Sequence, residues 1–151
     1  GQVRCWDIFP LASALSAGLL PVIYGDVIFD ELRGGTILST EDLFDYLAPR
    51  LEPQRILLAG LEPGVWADFP ACSQLVEVIT PQDYAGIAAA VSGSAATDVT
   101  GGMASKLTQA MKLVQQLPWL EVLIFSGETP GSVRHALAGR SLGTRICANR
   151  P

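Results

Sequence analysis

Two short runs constrain this chain most: Ile56-Leu57-Leu58-Ala59 and Val122-Leu123-Ile124-Phe125 are apolar at every position and close on turn residues, Gly60 and Ser126-Gly127. A strand with one wet face alternates polar and apolar residues, so a run without a polar position predicts a strand covered on both faces, as in a parallel sheet. Helix-periodic segments lie between these runs. One begins at Ser39, with an acid three residues on as in a capping box, shows Leu43, Phe44, Leu47 and Leu51 on one face, and is expected to close at Pro49 and Pro53. A second repeats Met103, Leu107, Ala110, Met111, Val114 and Leu117 and stops at Pro118.

The remaining elements are shorter. Residues 8–17 predict a helix closed by Gly18. Residues 19–24 form an apolar β-type run stopped by Gly25-Asp26, and Val27-Ile28-Phe29 continues as a strand. A turn at Gly34-Gly35 returns it along Thr36-Ile37-Leu38. A small hairpin follows Val65-Trp66, and residues 75–79 read as one strand. Thr80-Pro81 starts a short helix, residues 85–94 are small and read as a mobile stretch, and a short helix over 132–138 precedes a terminal strand over 144–147. The alternation calls for an α/β fold, a three-layer sandwich with a largely parallel sheet. In such sheets ligands sit at the carboxyl ends of the strands.

The 151 residues suffice for one domain with a real core, here read as a single unit spanning 1–151, and 49% apolar against 17% charged residues places the chain among globular proteins. A net charge of −5 argues against nucleic acid or an anionic membrane as partner, though not against a local anion site. No run approaches the ~18 apolar residues of a membrane helix. Gly1-Gln2-Val3-Arg4-Cys5 lacks a signal peptide's basic region and apolar stretch. Cys5, Cys72 and Cys147 are odd in number and contain no C-x-x-C pair, so free thiols in a reducing, cytoplasmic setting are expected, and no protein metal site.

The segment Asp98-Val99-Thr100-Gly101-Gly102 leads straight into the second long helix. Glycines at a helix start leave backbone N–H groups accessible. Lys106 falls in the first turn, roughly 60° from the centre of the apolar stripe, whereas Lys112 lies about 180° from it. A cation in the first turn opposes the helix dipole, and an anion bound there would remove the penalty. Taken alone, the segment also fits a capped helix with one surface lysine, and Asp98 fits a cap.

Five motifs occur in order: residues 21–27 with Tyr24-Gly25-Asp26, residues 37–43 with Glu41-Asp42, Gly64-Val65-Trp66, residues 97–106, and Gly143-Thr144-Arg145-Ile146. Together they resemble the carboxy-terminal half of amino acid kinase family proteins, most closely the isopentenyl phosphate kinase branch. The resemblance covers nearly the whole chain. It implies the ATP-binding lobe of that fold, with ATP and Mg2+ as cofactors and a small phosphorylated acceptor, isopentenyl phosphate, converted to its diphosphate. It is also compatible with a homodimer. Lys106 then matches the lysine that neutralises the transferring phosphoryl group, and Gly101-Gly102 the turn that phosphates approach. Gly25-Asp26 matches the Gly-Asp near the phosphates. Gly60, Gly64 and Asp98 flank the nucleotide, and Glu41 or Asp42 orients the lysines. Phosphoryl transfer asks for this kind of positioning and charge neutralisation.

Three features depart from the pattern. The lobe that binds the acceptor has no counterpart in these residues, and the one histidine, His135, falls in the wrong half. Glu41 stands where an aspartate is usual, which moves the carboxylate by about 1.5 Å. Residues 59–65 replace a Thr-Asp-Val-Asp-Gly-Val turn and lose a hydroxyl and an acid. A non-catalytic nucleotide-binding or regulatory domain, or a family member with another acceptor, therefore stands beside the kinase reading.

Overall fold

In the computed structural model residues 3–92 and 102–149 are described. The chain divides into two compact units, Gly1–Glu52 and Pro53–Pro151, each taken by itself below.

In the second unit the apolar run predicted at 122–125 becomes β7 (Glu121–Ser126), with Val122, Leu123, Ile124 and Phe125 all buried. Strand β3 (Arg55–Gly60) lies parallel to it in the register Arg55↔Glu121 through Gly60↔Ser126. On its other side runs β8 (Thr144–Ile146), antiparallel to β7 and parallel to β6 (Val78–Ile79). The sheet order is therefore β3-β7-β8-β6, mixed, with two of its three pairings parallel. Helix α4 (Gly102–Gln116) packs on β7 and β8, burying Leu107, Ala110, Met111, Leu113 and Val114. On the Leu123/Phe125 face lies Ala136 of α5 (Ser132–Leu137), joined by Leu57 and Leu142. Alternation sends Val122 and Ile124 to the other face. The result is helix, sheet, helix: the α/β three-layer arrangement expected.

Two short pieces close the unit. Strand β4 (Val65–Trp66) pairs antiparallel with β5 (Leu75–Val76), so Val65-Trp66, expected to precede a small hairpin, is itself one strand of an antiparallel pair. Residues 75–79 are two strands in two sheets, not one, since Glu77 turns its carbonyl to the Arg145 N–H. Strand β3 stands at the edge of its sheet and is only partly buried, although its run reads like that of β7. Helix α3 (Tyr84–Ser92) occupies most of the stretch expected to be mobile; it packs on α4, and the Tyr84 hydroxyl lies 3.0 Å from Thr108 Oγ1.

The first unit holds α1 (Phe9–Ser16), an antiparallel hairpin of β1 (Asp26–Asp30) and β2 (Gly34–Leu38), and α2 (Thr40–Leu51). Helix α1 ends at Ala17 with Gly18 at φ +73°, the closing glycine predicted. The hairpin turns one step earlier than Gly34-Gly35: Asp30 Oδ1 accepts from the N–H groups of Leu32 and Arg33 at 2.9 and 2.8 Å, which leaves both glycines in β2. Helix α2 runs through Pro49 rather than stopping there. Proline removes one N–H, and the next turn still closes through Glu52 N–H to the Ala48 carbonyl at 2.9 Å. The amino-terminal segment is held to α2 by the Tyr46 hydroxyl, which bonds the backbone N–H of Trp6 at 3.1 Å and its carbonyl at 3.2 Å. Residues 19–24, expected as a strand, pair with nothing among the described residues. No helix among the described residues is long and apolar enough to cross a membrane.

One buried hydroxyl fastens the small hairpin to the sheet. Thr144, at 0% exposure, accepts from the Val65 N–H at 2.8 Å and donates to the Val76 carbonyl at 2.6 Å. Thr144→Val keeps the shape but leaves these groups short of a partner, so unfolding free energy should fall by about 1–3 kcal/mol. Urea denaturation followed by tryptophan fluorescence should show a lower midpoint at unchanged slope.

Candidate functional site

The candidate residues divide between the units. Gly25, Asp26, Glu41 and Asp42 belong to the first; Gly60, Gly64, Gly102 and Lys106 belong to the second. Asp98 and Gly101 lie outside the described residues.

In the first unit the fold joins two of the sequence motifs. Asp26 opens β1 and pairs with Leu38, the residue before the α2 cap. A Cβ on Gly25 would strike the Leu38 carbonyl oxygen and come within 3.0 Å of the Ser39 carbonyl carbon and 3.1 Å of the Thr40 nitrogen. Glycine is thus required here by a backbone crossing, and that crossing sets Gly25-Asp26 against the amino terminus of α2. The two acids at this terminus are not equivalent. Asp42 Oδ2 accepts from the Ser39 N–H at 3.0 Å and the Ser39 hydroxyl at 2.8 Å, while the Asp42 N–H donates to Ser39 Oγ at 3.1 Å. That capping box engages Asp42. Glu41, half-buried one residue earlier, takes no part in it. Asp26 Oδ1 accepts from the Val27 N–H at 2.7 Å.

In the second unit, Gly60 and Ser126 end adjacent parallel strands, and the Gly127 N–H donates to the Gly60 carbonyl at 2.8 Å. A Cβ on Gly127 would sit 3.2 Å from Ala59 Cβ, so the two turns nest. Gly60 faces open space, with nothing within 4 Å of a hypothetical Cβ. Gly64 differs: its Cβ would lie 2.6 Å from Thr144 Oγ1, so the protein itself occupies that space. Residues 117–120 link α4 tightly to β7, with Leu120 N–H donating to the Leu117 carbonyl at 2.9 Å. Helix and strand therefore pack antiparallel, and the first turn of α4 comes level with the carboxyl ends of the strands. Gly102 opens that turn at φ +59°, a conformation that favours glycine. Lys106 is half-buried and Lys112 exposed, as the helical spacing requires. Gly102, Lys106, Gly60 and Ser126-Gly127 thus share one end of the sheet. Ser126-Gly127 was legible as a strand-ending turn; its nesting on Gly60 needed the strand pairing.

Two carboxyls are held below the ordinary value of 3.8, and both staple loops outside the candidate set. Asp30 is lowered first by the Arg33 backbone N–H and then by that of Leu32. Asp68 is lowered first by the Ser73 hydroxyl and then by the Gln74 N–H, which donates at 2.9 Å.

The second unit thus sets one open glycine at a strand end, Gly60, at the same end of the sheet as a helix that starts on glycine with a lysine one turn in, where backbone N–H groups and a cation are available to an anion. A profile of the amino acid kinase family matches residues 1–126, and the chain belongs to that family. It is 32% identical over 152 residues to the isopentenyl phosphate kinase of Methanothermobacter thermautotrophicus, covering 97% of this chain and 55% of that protein. It is 30% identical over 142 residues to the glutamate 5-kinase of Sodalis glossinidius, covering 90% and 37%. A solved isopentenyl phosphate kinase superposes with a TM-score of 0.76 at 28% identity, covering 97% of this chain and 53% of that one. The fold is that of the amino acid kinases, and the chain spans about half the length of the isopentenyl phosphate kinases it matches.

The unequal acids generate a stability test. Asp42→Ala should cost about 1 kcal/mol by opening the cap, and Glu41→Ala about 0.3–0.5 kcal/mol, in urea melts followed by circular dichroism. The Asp68 staple generates a pH test. Its folded value is depressed, so the loop gains stability above pH 3.8 and loses it as pH falls through the lower folded value. The Ser73 and Gln74 amide resonances should titrate with a midpoint below 3.8, and Asp68→Asn should abolish that titration.

Proposed function

We propose that this chain is the nucleotide-binding half of an ATP-dependent phosphotransferase that converts isopentenyl phosphate to isopentenyl diphosphate. The observation that carries the reading is the second unit's strand-end cluster: open Gly60, helix-opening Gly102 and half-buried Lys106 share one end of the sheet. Lys106 neutralises charge on the transferring phosphoryl group, which needs positioned positive charge more than covalent chemistry. Gly101-Gly102 let phosphate oxygens reach the first N–H groups of α4, and Gly60, Gly64 and Asp98 flank the nucleotide. Glu41 is the acid that orients lysines, because Asp42 is held by the Ser39 cap.

Mg2+ is expected with the nucleotide. It is usually bound through one or two carboxylates, phosphate oxygens and water, not through an all-protein cage. Asp26 fits that donor set, with Oδ1 bonded to the Val27 N–H and Oδ2 available for the ion or its waters. The ion would screen the phosphate charge. The acceptor is chosen by the other half of the family fold, and the whole enzyme works in the cytoplasm as a homodimer. Similarity to a glutamate 5-kinase supports a second reading, in which the same nucleotide half serves a carboxylate acceptor.

The test pairs the chain with an acceptor half and supplies ATP and Mg2+ with isopentenyl phosphate or L-glutamate. Diphosphate product from the first supports the proposal, and turnover of glutamate alone supports the second reading. ATP binding with neither product would leave a non-catalytic nucleotide module. Lys106→Ala should lower kcat on the order of 10²–10³-fold with little change in ATP affinity. Normal turnover would remove that lysine from the site.

A further inference from the structure

The sheet face that carries Leu123 and Phe125 is covered only in part by α5. The helix packs there through Ala136 and ends at Leu137. Past that end, toward the amino ends of β3 and β7, the same face turns from apolar to charged. Alternation puts Glu121 on the side of Leu123. Arg55 opposes Glu121, and Arg145 opposes Leu123. Arg55, Glu121 and Arg145 line a cavity of about 60 Å³ with Arg140 and Ser141 of the loop that follows α5.

Three arginines against one carboxylate is an unusual lining in a chain whose net charge is −5. The donors are only partly used. Arg55 Nη1 donates to the Ala136 carbonyl at 3.0 Å and Nη2 to the Leu137 carbonyl at 3.1 Å, which closes the end of α5. A guanidinium carries five N–H groups, so Arg55 keeps others free to donate. Arg145 Nη1 stands 3.7 Å from Glu121 Oε1, an ion pair longer than a hydrogen bond. Its Nε is buried and has no hydrogen-bond partner among the described residues. A buried donor without an acceptor is unfavourable, and a bound anion would supply the acceptor. Arg140 is exposed and forms no ion pair among the described residues. Its backbone is fixed at the helix end: Gly139 turns at φ +83°, and the Arg140 N–H donates to the His135 carbonyl at 3.0 Å.

We propose that this cavity binds a phosphoryl group, either as free phosphate or as the monoester of a small molecule. Size fits: at ~10–15 Å³ per water-sized group there is room for about four to six such groups, the scale of one tetrahedral phosphate. Charge fits as well. Three guanidinium groups and one carboxylate leave two positive charges, and a phosphoryl group at neutral pH carries about two negative ones. The planar guanidinium fork also pairs bidentately with phosphate oxygens, and Arg145 has Nε beside its Nη groups to offer. The site is separate from the strand-end cluster. Arg55 opens β3 and Gly60 closes it, five residues on, which at ~3.3 Å per residue is roughly 16 Å away. The inference therefore stands without the proposed nucleotide site, and its test reads binding without turnover.

The test titrates the 151-residue chain with inorganic phosphate and, separately, with glycerol 3-phosphate. Amide resonances are followed at about pH 7.5, where a phosphoryl group is mostly dianionic, with ionic strength held constant by sodium chloride. The expected result is saturable shifts at Gly139, Arg140, Ser141 and Arg145. A response to both probes identifies a monoester ligand, and a response to inorganic phosphate alone identifies the free ion; each supports the proposal. Arg140→Ala, at an exposed position, should weaken binding by about tenfold or more with an unchanged circular dichroism spectrum. Arg145→Lys keeps the charge but removes the Nε donor, and should weaken it by about tenfold. Arg134→Ala removes the same charge from an exposed position outside the cavity and should leave binding intact. Three outcomes overturn the proposal: shifts that sodium acetate reproduces at the same concentration, shifts confined to the first turn of α4 around Lys106, or equal affinity in the Arg140→Ala and Arg145→Lys variants and the unaltered chain.

Discussion

The Thr144 hydroxyl is the contact on which most of the second unit's geometry depends. It is fully buried, yet accepts from β4 and donates to β5 while its own strand pairs with β7 and β6. Two glycines make room for it. A Cβ on Gly64 would meet Thr144 itself, and one on Gly143 would strike the Ile124 and Pro63 carbonyl oxygens. The loop leaving Gly60 is therefore tied at its far end to the middle of the sheet. A small polar side chain works here only because both of its hydrogen-bonding functions are used; an unsatisfied buried hydroxyl would oppose folding.

Local signals carried much of the fold. Helix α2 was legible because its capping box closes within four consecutive residues, and α4 because its apolar stripe repeats over several turns. Strand β7 was legible because both its faces are covered. The same pattern in β3 misleads about burial, since apolarity cannot say whether a strand has one neighbour or two. Residues 75–79 failed as one strand for a related reason: the change of partner at Glu77 is a hydrogen-bonding fact that side-chain pattern does not encode. Residues 84–92 looked loose by composition, but small residues also suit a helix lying close on α4.

The candidate site was legible to the same degree. Gly102 and Lys106 could be read from the helix start, because both act through local geometry. Gly25 could be read only as a turn residue. Its requirement comes from the backbone around Ser39, brought back by the hairpin, so the constraint is tertiary. The sequence put Asp42 at the capping-box position three residues after Ser39 but left either Glu41 or Asp42 as the acid that orients lysines; the structure shows Asp42 engaged in that cap. The glycines also separate by environment. Protein atoms fill the space beside Gly64 and Gly143, whereas Gly60 borders open space. Glycine content at strand ends is therefore weak evidence for a ligand until the volume beside each glycine is known.

The buried apolar surface is distributed unevenly over the two parts of the candidate set. The second unit carries Gly60, Gly102 and Lys106 on a sheet covered by helices on both faces, so this part is organised by its own core. The first unit carries Asp26 and Glu41 beside a hairpin and an unpaired run with little buried surface of their own. Stability follows buried apolar area at about 25 cal/mol per Å², so the acid-bearing part draws less stability from its own buried residues than the second unit does from its core.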